Sequence, residues 1–550
     1  MTTRVRFTRL VAVLLATAFA GASAVVGAAP SESYQRISGS GSSWAAGAIS
    51  SMAVNVKQFG ITVDYNPTGS SAGRSDFLKG VVDFAASDIP FQFKPEDGSA
   101  PERPAAGSYV YIPVTAGGTS FMYNLKINGQ RVTNLRLSGE NVAKIFTGSI
   151  TTWNDPALKV DNPGLTLPAR KIVPVVRSDG SGSSAQFTKW MISQHKGVWD
   201  SFCTRSGRAP ACGFTSFYPT VPGIIAQSGD LGVSGYVSQS FAEGAIGYVN
   251  YSYAIGSRFP VAKVLNSSGY YTEPTPEKVS VSLLKAQINT NAASDDYLTQ
   301  NLEGVYRDPD KRNYPLSSYS YFILPTKVGG TFNTAKGKTL GAFAYYAMCQ
   351  AQQQSASLGY SPLPINLVQS SFEQIRKIPG VAVQDITIAS CKNPTFSADG
   401  TNVLAKNAPL PPECDKQGPT QCATGTGGVN STPTATASGG ATAGSGTGAG
   451  TGATTGGAAD TSAGTADAAA VGGDGSGGEC VPDPDTGLCP AGSEGSGSAL
   501  VQGAVTTTLL SNAGGWSSSQ TLMIVVFGLI LLLILAPAAA WRHLSRGEPR

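Results

Sequence analysis

An α/β fold divided into two lobes is what the sequence predicts for residues 33–412. Short apolar stretches of strand character alternate there with longer, helix-length stretches. A run of about 380 residues exceeds what one hydrophobic core normally holds, so it divides. Composition then changes sharply near Cys414, which marks the expected end of the globular part.

Residues 44–57 predict a helix and residues 61–65 a strand. Residues 81–85 and 171–176 predict short buried strands, and residues 184–193 a further helix. Residues 340–353 and 365–378 predict longer helices. No internal repeat of fixed period occurs.

The flanks have a different character. Arg4, Arg6 and Arg9 precede an apolar stretch at 10–20 and then small residues, Ala22-Ser23-Ala24 or Gly27-Ala28-Ala29. Residues 1–29 therefore read as a secretory signal, too short in its apolar part to span a bilayer. The first cysteine is Cys203, so the expected mature start offers no Cys for a lipid anchor. Residues 522–541 carry no charge and have the length of a membrane-spanning helix. Arg542, His543, Arg546 and Arg550 follow, which places the tail 542–550 in the cytoplasm and the bulk of the chain outside the cell membrane. Between lobes and helix, residues 413–519 read as a flexible stalk. Residues 424–478 are almost entirely Gly, Ala, Thr, Ser and Asp and cannot bury enough apolar surface to fold. A coil of about 100 residues would separate its ends by roughly 50–60 Å. Its Ser/Thr content suits glycosylation.

All 8 cysteines fall in the exported part. Cys203 with Cys212, Cys414 with Cys422 and Cys480 with Cys489 are near pairs, which leaves Cys349 and Cys391 to each other. An even count in an oxidising compartment predicts disulfides. None has the Cys-x-x-Cys spacing of a zinc or redox site. Charged residues make up 13% of the chain and the formal net charge is +4, with no clustered basic run. That argues against a nucleic-acid partner.

Three Gly-rich polar turns carry the chemistry. They are Ser38-Gly39-Ser40-Gly41-Ser42-Ser43-Trp44, Thr68-Gly69-Ser70-Ser71-Ala72-Gly73 and Arg177-Ser178-Asp179-Gly180-Ser181-Gly182-Ser183-Ser184. Each offers hydroxyls and backbone N–H groups at an expected helix N-terminus, where an anion is favoured. Any one alone reads as a capped helix in a loop rather than as a site. Three together, one with an arginine, predict an oxyanion site. The third turn lacks the Gly-Lys-Ser/Thr ending of a nucleotide loop. Gly180-x-Gly182-x-x-Ala185 loosely matches a dinucleotide fingerprint. However, Asp200 follows Lys196-Gly197-Val198-Trp199, which is too short and broken to be the required strand. An enzyme reading fares no better. The exported part has one histidine, His195, for a Ser-His-Asp triad, and no carboxylate cluster for a two-metal hydrolase.

These turns, with Val82-Asp83-Phe84-Ala85-Ala86-Ser87-Asp88, resemble the signature segments of the phosphate-binding proteins of phosphate ABC transporters, the PstS family. Thr152-Trp153-Asn154-Asp155, Asn162-Pro163-Gly164-Leu165, Gly244-Ala245-Ile246-Gly247-Tyr248-Val249 and Tyr321-Phe322-Ile323-Leu324 match further, in order. The resemblance covers residues 37–377. It implies a periplasmic-binding-protein-like (type II) fold, with phosphate in a hinged cleft and no cofactor, metal or catalysis. Lobe 1 would combine 33–114 with 291–412, and lobe 2 would be 115–290. The implied partners are inorganic phosphate and ABC permease subunits.

Carried over by position, Ser43 and Ser70 would donate hydroxyls and Trp44 its backbone N–H. Arg177 would supply positive charge, oriented by Asp179, and Ser181, Gly182 and Ser183 would donate from the second lobe. Asp88 would set selectivity. An ionised carboxylate can only accept hydrogen bonds. Phosphate keeps a proton near neutral pH and sulfate keeps none, so Asp88 would accept from one and repel the other. Ser43 and Ser183 stand where Thr is common in the family, and Trp44 where Phe is. The Cys203–Cys212 loop looks like an insertion, and the C-terminal anchor is unusual. Two readings stay open beside the importer: a membrane-anchored phosphate sensor or scavenger without a permease, and a receptor for another tetrahedral oxyanion.

Overall fold

A computed structural model describes residues 34–208, 212–397, 399–425 and 432–433, all within one compact unit. The signal at 1–29, the membrane span at 522–541 and the Cys480–Cys489 pair lie outside the described residues, as does nearly all of the stalk beyond 425. Among the described residues no helix is long and apolar enough to cross a membrane.

The first half opens with β1 (Ile37–Gly41), α1 (Ala46–Asn55), β2 (Val63–Asn66), α2 (Ser70–Leu78) and β3 (Phe84–Ser87). A long strand, β4 (Tyr109–Tyr123), follows. The second half contributes β5 (Val173–Arg177), α3 (Gly182–Gln194), β6 (Ile225–Gln227), α4 (Gly229–Val237), β7 (Ala245–Asn250) and α5 (Pro276–Leu283). β8 (Ser317–Pro325), α6 (Thr334–Met348) and α7 (Ile365–Ile375) return to the first half. The strands form one sheet in the order β2-β1-β3-β8-β4-β7-β5-β6. β2, β1 and β3 run parallel, as do β7, β5 and β6; β8 is antiparallel to β3 and to β4, and β4 is antiparallel to β7, so the two parallel sets run in opposite senses.

The strands expected at 61–65, 81–85 and 171–176 are present, each starting two or three residues later and ending one or two later, and the expected helices are present with shifted ends. β1 lies where the sequence suggested only a turn. It is a strand because Gly41 can hold φ +133 beside the Ala86 carbonyl, 2.0 Å from where a Cβ would stand. β4 was not foreseen either, because Pro113, Gly117 and Gly118 interrupt it. Pro113 sits opposite Tyr321 at the register shift between Ser320 and Tyr321, the kind of irregularity that tolerates proline.

β4 joins the halves. Tyr109 to Gly118 pair with β8, and Thr119 to Tyr123 pair with β7. The return crossing lies next to it. The Asn266 amide donates to the Lys311 and Asn313 carbonyls on the second half, and Ser317 then pairs with Gly118. Two adjacent crossings of this kind form a natural hinge.

Disulfides Cys203–Cys212, Cys349–Cys391 and Cys414–Cys422 are formed. Residues 413–425, assigned to the stalk by composition, pack against the second half instead. Lys263 Nζ donates to Asp415 Oδ2 at 2.6 Å in a buried ion pair. The Arg136 guanidinium donates to the Cys414 and Thr420 carbonyls, and the Asn134 amide to the Cys422 carbonyl. Single polar contacts hold this segment, so hydrophobic periodicity gave no sign of it.

Candidate functional site

The parallel strands of the two halves run in opposite senses and end toward the crossing in β4 from either side, and the turns leaving them gather the polar residues. The β1–α1 turn carries Ser42, Ser43 and Trp44. α2 begins at Ser70, β3 leads to Asp88, and β5 ends at Arg177. Ser181 caps α3, its hydroxyl accepting from the Ser184 N–H at 3.2 Å. α4 begins at Gly229 and Asp230. Four helix N-termini thus stand around one cluster.

Asp88 is 2% exposed. Its Oδ1 accepts from Ser42 Oγ at 2.6 Å and its Oδ2 from Ser70 Oγ at 3.3 Å. Gly182, from the second half, closes over both: a Cβ there would lie 2.5 Å from Ser70 Oγ and 2.6 Å from Asp88 Oδ2. The seam is fastened by Ser71 N–H donating to the Gly180 carbonyl at 2.9 Å and by the Gln186 amide donating to the Asp88 carbonyl at 2.8 Å.

Arg177, also 2% exposed, is gripped by acceptors. Nε donates to Asp179 Oδ1 at 2.8 Å and Nη2 to Asp179 Oδ2. Nη1 donates to Ser183 Oγ at 3.1 Å and to Asp230 Oδ2. Ser183 Oγ lies 2.9 Å from Ser181 Oγ, and Ser43 Oγ donates to Asp230 Oδ2 at 2.6 Å.

Three tyrosines fix the β1–α1 turn through consecutive carbonyls. Tyr65 donates to Ser42, Tyr253 to Ser43 and Tyr360 to Trp44, at 2.8, 2.7 and 2.8 Å. The Trp44 indole is buried, and its Nε1 donates to Thr119 Oγ1 at 3.2 Å, at the crossing in β4.

Burial pushes the Asp88 carboxyl up to about 6, with the Asp230 charge adding to the rise and the Ser42 hydroxyl opposing it. Burial works against the Arg177 charge, but Asp230 and then Asp179 outweigh it and hold the guanidinium above its usual range. Burial likewise raises Asp179, but Arg177 and the Gly229 N–H prevail and keep it below the usual carboxylate range.

The nine residues expected at the site therefore lie together, buried except for the partly exposed Asp179. Sequence reasoning missed Ser42, which takes Asp88 while its neighbour Ser43 takes Asp230. It also missed Asp230 and the three tyrosines. Asp230 had a readable signal, because Ser228-Gly229-Asp230 is another Gly-containing turn between strand and helix. His195 belongs elsewhere, its ring packed on Trp190 with centroids 4.8 Å apart. A cavity of about 190 Å³ borders the seam at Ser71, Arg74, Ser216 and Phe217 without including the Asp88 or Arg177 side chains. Among the described residues no group of His, Cys, Asp and Glu could hold a metal ion.

The cluster combines neutral donors, one cation and carboxylate acceptors, a set suited to an oxyanion that still carries hydrogen. Residues 26–351 match the family model of the PBP superfamily domain. The phosphate-binding protein PstS 2 of Mycobacterium tuberculosis is 30% identical over 318 residues, covering 56% of this chain and 76% of that protein. The phosphate-binding protein PstS of Xylella fastidiosa is 29% identical over 335 residues, covering 61% and 83%. A solved structure of a high-affinity periplasmic phosphate-binding protein, PfluDING, covers 69% of this chain and 100% of its own at 16% identity, with a TM-score of 0.47. The chain belongs to the PBP superfamily and, within it, to the phosphate-binding proteins of the PstS type.

Proposed function

We propose that this chain is an extracytoplasmic receptor that binds inorganic phosphate and hands it to an ABC importer. Its PstS relatives are named for phosphate binding. The observation that carries the reading is Asp88, a buried acceptor set between Ser42, Ser70 and Gly182 beside the Arg177 guanidinium.

Phosphate would enter an open cleft. Ser43, Ser70 and the Trp44 N–H would bind it from the first half. Arg177, Ser181, Gly182 and Ser183 would bind it from the second, and Asp179 would hold Arg177 in place. Asp88 would accept the phosphate hydroxyl, and rotation about the β4–β8 crossing would close the halves over the ion. Work of this kind is binding and release without turnover, so the receptor is not an enzyme.

We assign the signal to residues 1–29 and the membrane helix to 522–541, and we move the lobe boundaries expected at 114/115 and 290/291 to the crossings, so that lobe 1 joins 33–118 with 317–412 and lobe 2 runs from 119 through 313. The stalk would start beyond residue 425 and tether the receptor at the outer face of the cell membrane. Calorimetry of the full-length chain with phosphate, sulfate and arsenate tests the binding. Heat from phosphate and none from sulfate is expected, and equal binding of the two refutes the assignment. Unchanged phosphate uptake in cells lacking the chain would instead favour a sensor or scavenger.

A further inference from the structure

Asp230 is fully buried, and it touches two of the groups assigned to the anion. Its Oδ2 accepts from Ser43 Oγ at 2.6 Å and from Arg177 Nη1, while its Oδ1 accepts from the Asn250 N–H at 2.8 Å. A carboxylate oxygen bridging Ser43 and Arg177 therefore lies against any ion oxygen that approaches either donor.

The charges around it are out of balance. Arg177 faces Asp230 and Asp179 directly, and Asp88 feels the Asp230 charge across the cluster. Among the described residues, the other titratable groups facing Asp230 are the buried hydroxyls of Tyr253 and Tyr360, which are neutral. One guanidinium therefore confronts three carboxylates. A dibasic phosphate would add two further charges to a buried cluster that is already negative, and only one of its oxygens carries the hydrogen that Asp88 accepts. Its oxygen beside Asp230 would meet another anionic oxygen with no proton between them, an uncompensated buried contact.

Resting on the phosphate-receptor reading above, we infer that Asp230 is a second specificity-determining acceptor. It shares one additional proton with the bound ion, so that the pocket takes phosphate in its monobasic form. The proton is drawn from solvent when the ion arrives as the dibasic species. Asp88 reads the hydrogen that separates phosphate from sulfate, and Asp230 reads the next one.

The test is titration calorimetry of the full-length chain with inorganic phosphate in buffers of different ionisation heat, which counts protons taken up on binding. At about pH 8 the parent is expected to take up about one proton per phosphate, and above neutrality its affinity should fall about tenfold per pH unit. Asp230→Asn should abolish most of that uptake and flatten the pH profile. The parent's own proton count across pH keeps the question decidable if Asp230→Asn does not fold: uptake should be near zero at about pH 6 and rise to about one per phosphate at about pH 8. Phosphate binding without proton uptake by the parent overturns the inference, as does equal uptake in parent and Asp230→Asn. Absence of phosphate binding by the parent would instead overturn the receptor reading itself.

Discussion

Ser42 Oγ lies 2.6 Å from Asp88 Oδ1, inside a seam where both residues are sealed from solvent. One short hydrogen bond does not offset what burial costs a carboxylate, and the Asp88 carboxyl is held at about 6 instead of 3.8. A raised carboxyl means that the folded state binds a proton more readily than the unfolded chain. Asp88 therefore favours folding most at acid pH, and that contribution is lost as pH rises from about 4 through about 6.

Asp88→Asn should for this reason stabilise the phosphate-free protein at neutral pH, by an upper estimate of about 3 kcal/mol. The gain should vanish below about pH 4, where the parent carboxyl is also neutral. Thermal melts at both pH values check this. A variant less stable than the parent at neutral pH would contradict it.

Arg177→Ala should lose phosphate binding and also destabilise the fold. It strips Asp179 and Asp230 of their buried partner, and breaking a buried pair of this kind costs about 3–5 kcal/mol. Arg177→Lys should rescue stability in part, but an ammonium cannot span both Asp179 oxygens as the guanidinium does. Denaturant melts alongside calorimetry separate the two effects.

Gly182→Ala places a methyl group 2.5 Å from Ser70 Oγ and 2.6 Å from Asp88 Oδ2, atoms of the opposite half. Opening the hinge relieves that collision, so the variant should fold. Closure over the ion should suffer, with affinity for phosphate falling at least about tenfold, or about 1.4 kcal/mol. Undiminished affinity would show that the halves need not meet here.

Asp415→Ala leaves Lys263 buried without its partner and should cost about 3–5 kcal/mol, although residue 415 lies in sequence that reads as linker. A change below about 0.5 kcal/mol, as expected for an exposed position, would show that 413–425 is not part of the fold. Denaturant unfolding of the full-length chain gives the number.

The sequence exposed the site more fully than the fold. Ser70, Arg177 and Ser183 sit in Gly-rich turns whose composition signals chemistry whatever surrounds them. β4 stayed hidden because Pro113 and the Gly117-Gly118 pair argue locally against a strand, and only pairing with β8 and β7 overrides them. Asp230 lay hidden for a related reason. The Ser228-Gly229-Asp230 turn marks it only as one more strand-to-helix turn, and the tertiary approach of Ser43 and Arg177 gives it meaning. Ser42 went unnamed because composition does not tell which serine of the β1–α1 turn faces Asp88; the path of the turn decides it.

The most direct test compares phosphate with sulfate by calorimetry at neutral pH, on the parent and on Asp88→Asn. The parent should bind phosphate and reject sulfate, and the variant, able to donate as well as accept, should lose that preference. Identical selectivity in the two proteins would contradict the account at its centre.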